Sequence, residues 1–297
     1  MKKIEFKSML VSIILVLIIY YFYTPALNIH AIEFWIFIIV ALCIYGASTS
    51  YSTLLGRKFK PEKVGYLGAA VALIVAGVLV TDLFTSKIFH ASRYASRIEV
   101  ENVKFNNKTL HEVDFSKTPI IDRKSTVKLG DKVMGEIPEY VSQFEVSDDY
   151  TQISYKNSVY RVTPLEYASF FKYLTNSKNG IPAYITVNST NGKAEIVKLK
   201  DLGLDGMKYV PSAILNHNLN RKLQLSYPTS IFGSPSFEVD EKGHPWYVCT
   251  TYTYFGVGNK KKVTGAVLFD PITGKSKKYD KDKVPKWVDR VYPEELI

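Results

Sequence analysis

The residues able to do chemistry are scattered in this chain, and none falls into a spacing that metal binding or catalysis requires. The five histidines, His30, His90, His111, His217 and His244, form no HExxH, HxH or Cys/His pattern, so no metal or cofactor is expected. Cys43 and Cys249 are the only cysteines; one lies in an apolar run and the other in a strand-like run, which excludes a CxxC pair and argues against a disulfide. The GASTS of residues 46–50 departs from the GxSxG nucleophile elbow at Ser50. Gly274–Ser276 ends like a phosphate loop, but Phe269 stands where that loop needs its first glycine. GVGNKK, residues 256–261, lacks the third glycine of a dinucleotide fingerprint. Asp148 and Asp149 are adjacent in a turn, so their carboxylates point to opposite sides and do not form an acid/base pair. The chain therefore reads as non-enzymatic; the alternative is an envelope enzyme or transporter accessory subunit whose site residues lie far apart in sequence.

Binding is the better-supported chemistry. Tyr140, Tyr150, Tyr155, Tyr160, Tyr247, Tyr252 and Tyr254 sit in strand-like runs, and aromatic rings with a polar handle favour interfaces, although alternation places many of them in a core. The loop Phe255–Lys262, FGVGNKKK, joins two long strand-like runs and carries Lys260, Lys261 and Lys262 as a compact positive cluster. It is the expected binding loop for an anionic polymer or lipid headgroup, against the plainer reading of a solvated turn.

The elements that must position these residues divide sharply at residue 85. Three apolar runs, Met9–Tyr23, Ile32–Tyr51 and Val64–Phe84, read as three transmembrane helices within a membrane region 1–85. Lys2, Lys3 and Lys7 precede the first run and Arg57, Lys58, Lys60 and Lys63 separate the second from the third, while residues 24–31 hold no Lys or Arg. That asymmetry puts the N-terminus in the cytoplasm and everything after residue 85 outside the cell membrane. Gly68, Ala72 and Ala76 recur every four residues, a spacing that lets helices approach closely, either in a homodimer or against the other spans of the same chain. Beyond residue 85 the chain has 31 basic and 24 acidic residues, a net charge of +7, which attracts polyanions. An outward domain does not meet nucleic acid, so the expected partners are an envelope protein or an anionic cell-wall polymer.

The outer region is expected to be α+β, with small antiparallel sheets each packed with a helix. A helical linker 86–98 leads to a first module 99–163, with strands at Val100–Phe105 and Thr118–Asp122, a helix Ser125–Met134 capped by Ser125, and two or three strands in Tyr140–Val162. Residues 164–297 follow as a helix 164–178 opened by Pro164, a hairpin 182–200, a helix 211–225 and a meander 236–280. In the first of these helices Tyr167, Phe170, Phe171 and Leu174 form the expected apolar face, and Trp287, Val288 and Val291 are expected to cover a sheet edge.

ITVNSTNGKAEIVKL and GAVLFDPITGKSKKY, with its Asp-x-x-Thr-Gly turn, resemble PepSY-type domains. YVPSAILNHNLNRKLQLSYPTSIFG and VPKWVDRVYPEEL are similar to segments of large membrane-anchored surface proteins of Gram-positive bacteria without established function. The resemblance implies a helix packed on a small antiparallel sheet, and a role in binding or regulating a partner.

Overall fold

A computed structural model describes residues 2–54, 61–92, 102–104, 106, 114 and 118–292. The chain forms two compact units: Met1–Glu99 with Gln224–Ile231 and Tyr252–Lys262, and Val100–Leu223 with Phe232–Thr251 and Val263–Ile297.

The first unit is built on helices α1 (Lys2–Tyr23), α2 (Ile32–Leu54) and α3 (Pro61–Thr85). Among the described residues two of them, rather than three, are long and apolar enough to cross a membrane: Ile32–Ser50 and Gly65–Thr85 run for 19 and 21 residues. The apolar part of α1 is confined to Met9–Tyr23, short of the roughly 20 residues a span takes. It nevertheless lies along α2, with Ser12 Oγ 2.6 Å from Ser48 Oγ and the Tyr20 ring 5.8 Å from that of Phe37. The helical linker expected after residue 85 does not begin there. α3 stops at Thr85, whose hydroxyl donates back to Thr81 O, and a turn follows; residues 93–98 lie outside the described residues.

The second unit is α+β with two antiparallel sheets. The strand expected at Val100–Phe105 falls largely outside the described residues. Thr118–Asp122 is not a strand: the N–H groups of Ile120 and Ile121 both donate to Ser189 O, and Asp122 then caps α4 (Arg123–Gly135) by accepting from Ser125 N at 2.7 Å. The aspartate three positions ahead of the predicted helix start takes the capping role expected of Ser125. A single turn, α5 (Pro138–Val141), precedes the first sheet. That sheet comprises β1 (Phe144–Val146), β2 (Thr151–Tyr155), β3 (Ser158–Tyr167), β4 (Ala183–Asn188) and β5 (Ala194–Lys198), in order β1-β3-β4-β5 with β2 also on β3.

Pro164 does not open a helix. It lies within β3, where the strand changes partner: residues 158–162 pair with β2 and 165–167 with β1, the kind of interruption at which a proline is tolerated in a sheet. The helix is the shorter α6 (Phe170–Asn176), capped by Ser169, and it buries Tyr173 while Phe170, Phe171 and Leu174 stay exposed. The helix expected over 211–225 is likewise reduced to α7 (Leu219–Ser226). Asn218 ends the preceding loop by accepting from Arg221 N and donating to Pro211 O and Ala213 O.

The second sheet comprises β6 (Ile231–Phe232), β7 (Ser236–Val239), β8 (Pro245–Phe255), β9 (Asn259–Phe269) and β10 (Ser276–Asp280), in order β10-β9-β8-β6 with β7 also on β8. Tyr184 of β4 packs on Phe237 of β7 and donates to Gly243 O at 2.8 Å, joining the two sheets in one core. A C-terminal strap, residues 284–292, covers a face of the second sheet rather than its edge. Val288 packs on Val248, Ala266 and Leu268, flanked by Trp287 and Val291. The register explains this, because Ala266 pairs with Tyr279 and Leu268 with Lys277, so the apolar positions share one face.

Candidate anion-binding cleft

The strap gives the second unit its most distinctive polar feature. Glu238, in the middle of β7, has no solvent exposure, yet no Lys or Arg pairs with it among the described residues. Its two carboxylate oxygens accept instead from consecutive main-chain N–H groups of the strap, Asp289 at 2.9 Å and Arg290 at 3.0 Å. Burial pushes its carboxyl up to about 7, against the lowering effect of those two hydrogen bonds. The strap is tied at two further points: Thr250 Oγ1 donates to Val291 O at 3.1 Å, and Asp289 Oδ2 accepts from Ser154 N of β2 at 2.6 Å.

Held in this way, Asp289, Arg290 and Tyr292 form one wall of a cleft of about 460 Å³ whose other walls come from β2, β3 and the start of α4. Three arginines line it, Arg123, Arg161 and Arg290, against two carboxylates, Asp149 and Asp289. The first two are oriented by neutral groups. Arg161 Nη1 donates to Ile121 O at 2.6 Å and to Thr126 Oγ1 at 2.9 Å, and Arg123 Nη2 donates to Asp148 O at 2.9 Å. Carbonyls fix a guanidinium without cancelling its charge, so these forks keep donors available to an anion. Tyr150 closes the floor; its hydroxyl is buried without a hydrogen-bond partner among the described residues, and burial raises its pKa. The ring reaches this position because Gly130 of α4 has no Cβ, which would overlap the hydroxyl.

A second recess, of about 540 Å³, adjoins the same strap and is lined by Trp287, Tyr155, Asn157, Ser154, Ser158 and Glu241, among others. Lys156 and Asn157 form its β2–β3 turn with φ of 50° and 57°.

The residues singled out from sequence lie elsewhere. Lys260, Lys261 and Lys262 are not in a loop but begin β9; the first two are half-buried, Lys261 Nζ lies 4.8 Å from the centre of the Tyr252 ring, and Lys262 is exposed. The turn itself, Gly256–Gly258, is occupied within the first unit. His30 Nδ1 lies 2.7 Å from Gly256 O, Gly258 N donates to His30 O, and Asn259 Nδ2 donates to Asp82 Oδ1 at 2.6 Å and Thr85 Oγ1 at 2.8 Å. Gly68, Ala72 and Ala76 are exposed along α3, on a face that does not pack against α2. The Asp-x-x-Thr-Gly turn is structural: Asp270 accepts from Ile272 N at 2.8 Å and Thr273 Oγ1 at 2.6 Å. No group of three or more His, Cys, Asp or Glu among the described residues is placed to hold a metal ion.

No spacing in the sequence announces the cleft, because its arginines come from a helix start, a mid-strand position and the strap. Glu238 is also hidden, since alternation along Ser236–Val239 predicts an outward side chain where all four residues are buried. No protein-family model, curated protein or solved structure matches this chain.

Proposed function

We propose that this is a non-enzymatic membrane-anchored protein of the cell envelope whose second unit binds an anionic polymer through the arginine cleft. The observation that carries the proposal is the convergence of Arg123, Arg161 and Arg290 on one recess, two of them oriented by carbonyl or hydroxyl oxygens rather than by carboxylates. Bidentate guanidinium donors suit phosphate and carboxylate groups, and a net charge of +7 beyond residue 85 favours a polyanion over a neutral ligand. The anchor in this reading has three crossing helices, α1 spanning beside α2 with basic flanking residues drawn toward the headgroups. In this reading the N-terminus is cytoplasmic and the arginine cleft outside, an orientation supported by the basic segments on either side of the first two helices. The resemblance to PepSY-like modules agrees with a binding rather than a catalytic role.

Binding of poly(glycerol phosphate) to the full chain in nanodiscs tests this. Arg123→Glu with Arg290→Glu reverses two charges that no described carboxylate pairs with, and is expected to weaken binding at low salt by about tenfold or more, the equivalent of about 1.4 kcal/mol. Unchanged affinity in a folded variant would sink the proposal.

A further inference from the structure

The arginine cleft and the aromatic recess are not independent features, because one strap builds a wall of each. Trp287 lines the recess; Asp289 and Arg290 line the cleft; and Ser154, which lines the recess, donates its N–H to Asp289 Oδ2. Glu238 and Thr250 fix that strap through its main chain at residues 289–291, so the same bonds position a wall of both sites.

Their chemistries differ. The cleft offers guanidinium groups. The recess offers the indole of Trp287, with an amide (Asn157), hydroxyls (Ser154, Ser158) and a carboxylate (Glu241) around it; its one lysine, Lys156, lies 4.8 Å from the centre of the Tyr155 ring. Aromatic faces cover the apolar C–H face of a sugar ring, while amide, hydroxyl and carboxylate groups pair with its hydroxyls, each group donating or accepting as the sugar requires. A phosphate has no use for a carboxylate or an indole, and a neutral sugar has no use for three arginines. Resting on the reading of the cleft given above, we infer that the ligand is a phosphodiester-linked glycopolymer, its phosphate held by Arg123 and Arg290 and a neighbouring sugar ring seated against Trp287. The recess is then the specificity-determining half of the site and the cleft its electrostatic half.

Three probes separate these roles in the full chain in nanodiscs: poly(glycerol phosphate) bearing glucosyl substituents, the same polymer without sugar, and neutral dextran. The glucosylated polymer is expected to bind about fivefold tighter than the bare one, the scale of one aromatic contact, with dextran far weaker than either. Trp287→Leu should remove that preference and leave the affinity for bare polymer unchanged. Because Trp287 also packs beside the core, Asn157→Gly is the companion variant: it keeps the left-handed turn and removes only the amide, and it should reduce the preference in the same direction. Equal affinity of the wild type for the glucosylated and bare polymers overturns the sugar assignment while leaving the arginine reading intact. Failure to bind either polymer overturns both.

Discussion

The main-chain N–H of Arg290 donates to the buried carboxylate of Glu238 at 3.0 Å, and through this bond an acid with no cationic partner among the described residues sets the position of a basic side chain that lines the cleft. A buried carboxylate without a cation is costly, and backbone donors offset only part of that cost. Replacing Glu238 by a hydrophobic residue of similar size would remove the cost but leave the N–H groups of Asp289 and Arg290 without acceptors. The carboxyl group therefore fixes one placement of the strap through its two acceptor oxygens, while its ionisation is a cost to the fold.

This arrangement has a defined pH signature. Glu238 is raised to about 7 in the folded chain, above its ordinary 4.5, so it binds its proton more tightly folded than unfolded. Its contribution to stability is present below about pH 4.5 and is lost as pH rises to about 7, with a slope of at most about 1.4 kcal/mol per pH unit. Other carboxyls, such as Asp270, are lowered and titrate in the opposite sense. The measurement is accordingly the difference in stability between wild type and Glu238→Gln, which does not titrate. Wild type should exceed the variant most near pH 4.5, and the gap should narrow toward pH 7; a gap independent of pH would contradict the assignment.

Tyr150 and Gly130 make a second testable pair. An alanine at position 130 would press its Cβ onto the Tyr150 hydroxyl, so Gly130→Ala should destabilise by about 1–3 kcal/mol despite alanine's better helix propensity. Tyr150→Phe removes a hydroxyl without a described partner and should be neutral or slightly stabilising. In the double variant the phenylalanine should recover much of the loss. Additive effects in thermal or chemical unfolding would show that the two side chains do not meet.

The proposed membrane orientation is checked by labelling. With Cys43 and Cys249 replaced by alanine, a cysteine at the exposed Ser234 should react with an impermeant maleimide in intact cells. Labelling only after the cells are opened would reverse the assignment.

Patterns of single elements were legible in the sequence; partnerships between distant segments were not. Apolar length predicted three membrane helices, of which two among the described residues are long and apolar enough, while α1 falls short because its apolar run begins only at Met9. Alternation gave the antiparallel sheets, but Pro164 suggested a helix start because proline is neutral in a first helical turn, and only the change of strand partner within β3 shows why it fits a strand. The lysines after Gly258 read as a loop because glycines precede them, whereas the β8–β9 pairing draws them into strand. Arg123, Arg161 and Arg290 carry no local mark at all: their meeting depends on the strap, and the strap on a carboxylate 51 and 52 positions earlier.

The turn between β8 and β9 supplies the last prediction. Asn259 donates to both Asp82 and Thr85 within the first unit, and Gly256, at φ 75°, lies so close to Thr85 that any Cβ would overlap its side chain. Asn259→Asp replaces the donor with a carboxylate facing that of Asp82, turning an attraction into a like-charge contact at hydrogen-bond distance. Gly256→Ala adds both steric overlap and a left-handed backbone that alanine disfavours, a cost of about 1–2 kcal/mol from the backbone alone. Each variant should increase amide hydrogen exchange across residues 252–262 while leaving exchange in β4 unchanged. Replacing Lys260, Lys261 and Lys262 together with glutamine removes charge without touching the Asn259 contacts, and should leave exchange in the turn unaltered. If the lysine variant loosens the turn as much as Asn259→Asp does, the charge cluster rather than the asparagine holds it in place.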